Sequence, residues 1–311
     1  MACPKKVYID APCKINLHLG IWEKRPDGFH DLESLFACLA FADTLKIECT
    51  GKDEDYLLSV ETEPGCGYEC GEMVSPLDNL VSRAVSLFRE RTGYRNGLRA
   101  FLKKCIPIGA GLGGGSSDAA STLLALNFLA GNLASMKDLM EMAAVLGSDV
   151  PFFLNGGLAF VGGRGERIEP VGIEERASLA GLSFVLVKPP FSSDTANAYL
   201  LLDQARESGI VSRREMLHKE VLLRSLAENP GTWPFYNDFL EIDKIGVYGE
   251  VLKNLREAGA SFAGLSGTGS CCFGIFCAKK AAEEAVKSLG GRGNFIRLTF
   301  FLANRANPVV E

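Results

Sequence analysis

The chain reads as an α+β protein of two domains, on three observations. At 311 residues it exceeds what one hydrophobic core comfortably supports, and suits two domains of roughly 100–200 residues each. Its first half opens on strand-like alternation and then mixes helices and strands. From about residue 180 the order becomes strand, helix, strand, strand, helix, strand once inserted helices are set aside, the split βαβ pattern. The switch falls in VGIEERASLAG, so the boundary is expected within 172–182, giving domains 1–175 and 176–311.

The elements follow in chain order. Residues 6 to 24 alternate, with Ile15, Leu17, Leu19 and Ile21 on one face and Lys14, Asn16 and His18 on the other. RPDGFH at 25–30 is a turn. TLKIEC and LLSVET read as strands, and EPGCGYECGEMVSP as a loop. DNLVSRAVSLFRERTG has helical spacing and ends at a glycine. GLRAFLKKCIPI is strand-like. A glycine run leads into SSDAASTLLALNFLAG, a helix whose serines are suited to cap it. SMKDLMEMAAVLG is a helix capped by Ser135 and Gly147, and GLAFVGG with GERIEPV forms a hairpin. In the second domain SFVLVKPP, the two halves of SFAGLSGTGSCCFGIFC, and NFIRLTFFL are strands. DTANAYLLLDQARESG, VYGEVLKNLREAG and AKKAAEEAVKSLG are helices, with more helix up to about residue 228.

Composition narrows the function. The chain is 47% hydrophobic and 23% charged, ordinary for a globular protein. A net charge of -5 counts against a broad nucleic-acid surface but leaves room for a small phosphorylated ligand. MACPKKVYID has no apolar run behind its lysines, and no stretch approaches the roughly 18 apolar residues of a membrane span. The expectation is a cytoplasmic protein without membrane or nucleic-acid partners. The ten cysteines are irregularly spaced, with Cys66 and Cys70 apart from Cys271, Cys272 and Cys277. The three histidines lie near neither group, so buried free thiols fit better than a zinc site.

PIGAGLGGGSSDAAS, residues 107–121, carries the most information. It joins a strand to a helix, and its glycines let backbone N–H groups approach an anion without Cβ interference. The helix N-terminus adds unpaired N–H groups and a favourable dipole. Gly109, Gly111 and Gly114 match a dinucleotide fingerprint, but LAGNLASMKDL downstream runs into a helix and not the required strand. No lysine lies in the run, which excludes a Walker loop. A plain glycine hinge is the remaining structural alternative.

PIGAGLGGGSSDAA resembles the phosphate loop of the GHMP kinases. APCKINLHLGIWEKRPDGFHDLESLF, LGSDVPFFLNGG and LSGTGSCCFGIF resemble that family's N-terminal, central and C-terminal motifs, in order along nearly the whole chain. The family's usual PAKIN and GYH appear here as PCKIN and GFH, so Phe29 lacks a hydroxyl. The resemblance implies an N-terminal domain like domain 2 of ribosomal protein S5 and a ferredoxin-like C-terminal domain. It implies a kinase that uses ATP and Mg²⁺. The long GLGGGSS form and RPDGFH imply a branch acting on a cytidine diphosphate-linked alcohol.

The same resemblance distributes roles. Asp149 becomes the general base and Lys14 its partner, which holds the carboxylate ionised; Asn16 shares that strand face. Otherwise Asp149 is a surface loop residue and Lys14 a solvated sheet lysine. Pro107, Ile108, Gly109, Ala110, Leu112 and Gly111 with Gly113, Gly114, Gly115, Ser116 and Ser117 wrap the triphosphate, and Ser117 is the candidate Mg²⁺ contact. Asn79 and Lys104 fall near the nucleotide, or are a helix-cap asparagine and an exposed strand lysine. Phe29 and Tyr199 flank the base, His30 meets its polar edge and Thr195 lies near the substrate. Core aromatics and a turn histidine are the alternatives. LSGTGS at 265–270 is small enough to approach the phosphate loop, or is simply a tight turn. Another GHMP kinase, acting on mevalonate, homoserine or a sugar, and a non-catalytic sensor of the same fold are the rival functions. A dinucleotide oxidoreductase is the more distant one. A monomer or weak homodimer is expected.

Overall fold

The structure is a computed structural model that describes residues 6–53, 55–63, 78–243, 246–290, 294–305 and 307–310. It opens on a long antiparallel hairpin, β1 (Lys6–Lys24) and β2 (His30–Asp53), turned by RPDGF. The strand expected at TLKIEC is the second half of β2. The register shifts at Pro12/Cys13, Asn16/His18 and Ile21/Lys24, and these irregularities let so long a ribbon bend. β3 (Tyr56–Thr62) runs parallel to β4 (Asn96–Lys104), and the connection between them contains α1 (Leu80–Thr92), closed by Gly93 in the left-handed region. The expected loop EPGCGYECGEMVSP, with Cys66 and Cys70, lies almost wholly outside the described residues.

α2 (Gly114–Leu129) follows the glycine run. Its cap is Gly113, at φ +71°, with no side-chain hydrogen bond. This corrects the expectation that the serines cap it: Ser116 and Ser117 lie inside the first turn, because the left-handed glycine turns the chain before they are reached. α3 (Met136–Leu146) has the expected ends, with a capping box between Ser135 and Asp138. α4 (Val150–Asn155) begins directly after Asp149, so Val150 is helical. Pro151 sits in the first turn, where its missing N–H breaks no hydrogen bond. β5 (Leu158–Gly162) and β6 (Arg167–Pro170) form the expected hairpin.

α5 (Ile173–Ala177) leads to β7 (Ser183–Lys188), α6 (Thr195–Glu207) and α7 (His218–Ser225). α8 (Val247–Glu257), β8 (Phe262–Leu265), β9 (Cys272–Phe276), α9 (Lys279–Leu289) and β10 (Phe295–Phe300) complete the second unit. Its antiparallel sheet has the order β10-β7-β9-β8, the split βαβ arrangement. The chain then returns to the first sheet, where β11 (Val309–Val310) pairs with β1 and gives the order β11-β1-β2-β4-β3, with β5 and β6 branching from β2. Arg305, on the way back, reaches the Phe153 carbonyl and the Ser121 hydroxyl.

The hairpin β1–β2 is apolar on both faces. Val7, Ile9, Phe36 and Cys38 pack under α1 to α4, while Ile15, Leu17, Leu35 and Leu39 share a core with Phe184, Leu186, Phe273 and Ile275 of the second sheet. The two sheets therefore meet through a common apolar layer. Cys13, Cys38, Cys105, Cys271 and Cys272 are buried and unpaired. No helix among the described residues is long and apolar enough to cross a membrane.

Candidate active site

A cavity of about 880 Å³ opens between the two units. Of the residues singled out from sequence, its wall gathers Lys14, Asn16, Phe29, His30, Gly111, Gly113, Ser116, Asp149, Thr195 and Tyr199. Pro107 to Ala110, Leu112, Gly114, Gly115, Ser117, Asn79 and Lys104 are not on that wall.

At its centre Lys14 Nζ donates to Asn16 Oδ1 at 2.7 Å and stands 3.6 Å from Asp149 Oδ2. Lys14 is buried and not solvated, and its ammonium lies 4.5 Å from the centre of the Phe36 ring. Burial lowers its pKa from the ordinary lysine value, with the Asp149 charge working against the shift. Asn16 is itself fixed, because its Nδ2 donates to Ser34 Oγ at 2.9 Å. Asp149 occupies the N-cap position of α4 but makes no capping bond, so its carboxylate is left to the cavity.

The glycine loop is clamped from behind. Lys14 N donates to Leu112 O at 2.9 Å, Cys271 N to Ala110 O at 3.1 Å, and Ser266 Oγ to Gly111 O at 2.8 Å. LSGTGS is thus docked on the loop. A Cβ on Gly111 would lie 2.1 Å from Ser266 O, and one on Gly113 would lie 2.8 Å from the Phe153 ring. With its carbonyls held by these donors, the loop turns into α2, whose first N–H groups have no intrahelical acceptor. That suits a phosphate chain lying over Gly111, Gly113 and Ser116.

Beneath the loop Lys104 is buried and paired with Asp43 and, at 2.7 Å, with Asp118. Asp43 also accepts from the backbone N of Cys105 and, at 2.8 Å, of Ile106. Lys104 is therefore a pedestal for the loop, neither an exposed lysine nor a cavity-lining one. Burial pushes the Asp118 carboxyl above the usual range, with Lys104 pulling it down. Asn79 caps α1, its Oδ1 accepting from Val81 N at 2.9 Å. The Ser117 hydroxyl is fully buried and has no hydrogen-bond partner among the described residues, whereas Ser116 lines the cavity. A hard cation held mainly by phosphate oxygens needs few protein ligands. Ser116 and Asp149 supply a hydroxyl and a carboxylate on that wall.

At the far end His30 Nε2 meets Asp203 Oδ1 at 2.8 Å, and its ring stacks on Tyr199 at 5.2 Å. Phe29 is 55% exposed, and the Arg164 guanidinium lies 4.9 Å from its ring centre. Thr195 meets Thr268 of the docked turn, with Oγ1 atoms 3.3 Å apart.

Sequence reading missed Asp43, Asp118, Arg164 and Asp203. Thr195, Tyr199 and Asp203 are spaced i, i+4, i+8, a helical stripe that would have pointed to Asp203. Asp118 sits beside the quoted serines. Asp43 and Arg164 carry no local signal, since pairing across strands and turns places them.

Family profiles for the GHMP kinases N terminal domain and the GHMP kinases C terminal match residues 79–157 and 244–294. The chain belongs to the GHMP kinase family, whose phosphate donor is ATP. Within it, the chain is 36% identical over 293 residues to the 4-diphosphocytidyl-2-C-methyl-D-erythritol kinase of Solibacter usitatus, covering 93% of this chain and 87% of that one. It is also 36% identical over 286 residues to the enzyme of the same name from Thermodesulfovibrio yellowstonii, covering 89% and 92%. A solved 4-(cytidine 5'-diphospho)-2C-methyl-D-erythritol kinase superposes with a TM-score of 0.75 at 32% identity, over 94% of this chain and 99% of that one.

Proposed function

We propose that this protein phosphorylates the 2-hydroxyl of 4-diphosphocytidyl-2-C-methyl-D-erythritol, using ATP and Mg²⁺ and releasing ADP. The observation that carries this reading is the Lys14–Asp149 pair, which stands in one cavity with the mouth of the glycine loop on one side and the His30–Tyr199 stack on the other. Phosphoryl transfer is mostly positioning and charge neutralisation. Asp149 accepts the proton of the substrate hydroxyl as its oxygen bonds to the γ-phosphorus. Lys14 is the counter-charge beside that carboxylate, and the N-terminus of α2 holds the nucleotide phosphates. Mg²⁺, when bound, would supply further neutralisation of phosphate charge, and the Ser116 hydroxyl on the cavity wall would be a protein oxygen to hold it. Phe29 and Tyr199 offer ring faces for the cytosine, and Thr195 lies beside the alcohol.

Two domains, 1–175 and 176–311, form the two walls of this cleft, with the C-terminal end of the second returning to the sheet of the first. The reading also carries a cytoplasmic location, a monomer or weak homodimer, and no nucleic-acid or membrane partner. ADP release measured with the cytidyl substrate, mevalonate and homoserine, with and without Mg²⁺, tests it. Turnover is expected with the first alone and only with Mg²⁺. Turnover of mevalonate or homoserine without the cytidyl compound would move the protein to another branch of the family.

A further inference from the structure

Asp203 lies on α6 one turn beyond Tyr199 and two beyond Thr195, on the stripe that faces the cavity. Its carboxylate is used twice. Oδ1 meets His30 Nε2 at 2.8 Å, and Oδ2 accepts from Lys24 Nζ at 2.9 Å. Burial opposes the Asp203 charge, but the hydrogen bonds from Lys24 and His30 outweigh it and hold the carboxyl below its usual range. An ionised carboxylate only accepts. Facing that carboxylate, the His30 ring presents an N–H at Nε2, and with its single proton held there Nδ1 is an acceptor. Tyr199 stacked on the ring keeps it from turning over. His30 lines the cavity, and no partner for Nδ1 is present among the described residues.

We propose that Asp203 is a positioning residue for base selection: it holds His30 in the Nε2–H tautomer, so that Nδ1 accepts from the exocyclic amino group of a cytosine and opposes the carbonyl of a uracil. Cytosine offers an N–H donor at the ring position where uracil offers an oxygen acceptor. The two bases are otherwise nearly the same size, so shape alone separates them poorly and a fixed acceptor separates them well. Lys24 occupies the second carboxylate oxygen and keeps Asp203 charged. This inference rests on the proposed reading of the substrate as a cytidine diphosphate-linked alcohol.

The test compares kcat/KM for the cytidyl substrate and its uridyl analogue in the wild type, Asp203→Asn and Asp203→Ala. In both variants the cytidyl-over-uridyl ratio should fall about tenfold or more, mainly through the cytidyl KM and not the KM for ATP. A residue that merely braced the fold would lower both substrates together. Nitrogen-15 shifts of labelled His30 give a second measurement that does not depend on the variants folding, and should show the wild-type proton on Nε2. An unchanged ratio in a folded variant, or a wild-type proton on Nδ1, overturns the Asp203 inference alone. A wild type that ignores the cytidyl substrate overturns the proposed function and the base-selection step with it.

Discussion

Lys14 Nζ stands 3.6 Å from Asp149 Oδ2 across the cavity, and the two side chains arrive from different elements, a strand of the long hairpin and the first residue before a short helix. Each is placed by contacts that do not involve the other: Lys14 by Asn16 and the Phe36 ring, Asp149 by the start of α4. Removing either one should therefore spare the fold. Asp149→Ala and Lys14→Ala are expected to lower kcat by about 10²–10⁴, the usual worth of a positioned proton acceptor and its support. Steady-state kinetics beside thermal melts check this. Near-normal turnover in either variant would sink the assignment.

The buried setting of Lys14 also sets a pH limit. Its pKa is lowered by burial, against the pull of Asp149, so it loses its proton sooner than an exposed lysine as pH rises. Activity should fall on the alkaline side with a midpoint below the ordinary value of about 10.4. Lys14→Arg, always charged, should work more slowly but lose that limb from its pH–rate profile. A wild-type limb at or above the ordinary lysine value contradicts this account.

Much of the fold was legible because it rests on local patterns. The helix from Ser135 to Gly147 shows its caps in the sequence, and the order of elements after residue 180 follows from periodicity alone. The glycine run was legible from its own residues, and Asp149 through the family resemblance. What escaped depends on contacts between distant segments. Lys104 is buried because Asp43 lies opposite on β2 and Asp118 reaches back from α2, and no window of sequence contains all three. Ser116 and Ser117 were read together, yet one faces the cavity and the other is sealed, a difference of one residue on a helix whose start was set by Gly113. Lys14 and Asn16 were read on the strand face opposite Ile15 and Leu17, yet that face is buried too: Lys14 lies under the Phe36 ring and the glycine loop, and Asn16 meets Ser34 and, from the second unit, Ser266.

Phe29 should matter through its face and not its size. It is more than half exposed on a turn, with Arg164 against its ring and its own N–H donating to Asp27 Oδ1 at 3.2 Å. Base–aromatic stacking is worth about 1–3 kcal/mol. Phe29→Ala is expected to raise the KM for the cytidyl substrate roughly 5- to 150-fold, in line with that energy, with little change in the KM for ATP. Phe29→Tyr keeps the stacking face and should stay within about threefold of the wild type on the same grounds. Equal shifts in both KM values after Phe29→Ala would place the ring elsewhere.

Gly111 sits where the two units touch. Its φ is +72°, and an added Cβ would meet the Ser266 carbonyl oxygen at 2.1 Å. Backbone on backbone leaves nothing soft to yield. Gly111→Ala should cost about 2–4 kcal/mol of stability, from the left-handed strain and the forced separation together. The displaced loop should also raise the KM for ATP. Denaturant unfolding and initial rates measure the two effects, and a variant as stable as the wild type would mean that the loop and the LSGTGS turn are not clamped together.

Lys104→Met separates pedestal from ligand contact. Asp43 and Asp118 are both buried, and Lys104 is the ammonium that joins them. Burial opposes the charge of Lys104, but the two carboxylates more than offset this and hold its pKa above the ordinary lysine value. A methionine keeps the length of the side chain and removes the charge, leaving two carboxylates facing each other without a counter-ion. Breaking a buried pair in this way costs about 3–5 kcal/mol. The stability of the nucleotide-free protein should drop by that amount. A lysine that served only to touch a nucleotide would lower ATP affinity and leave the unfolding midpoint of the free protein where it was. Urea unfolding of Lys104→Met without nucleotide therefore decides between the two roles. A large loss is expected, because Asp43 also holds the backbone of Cys105 and Ile106 at the entrance to the glycine loop.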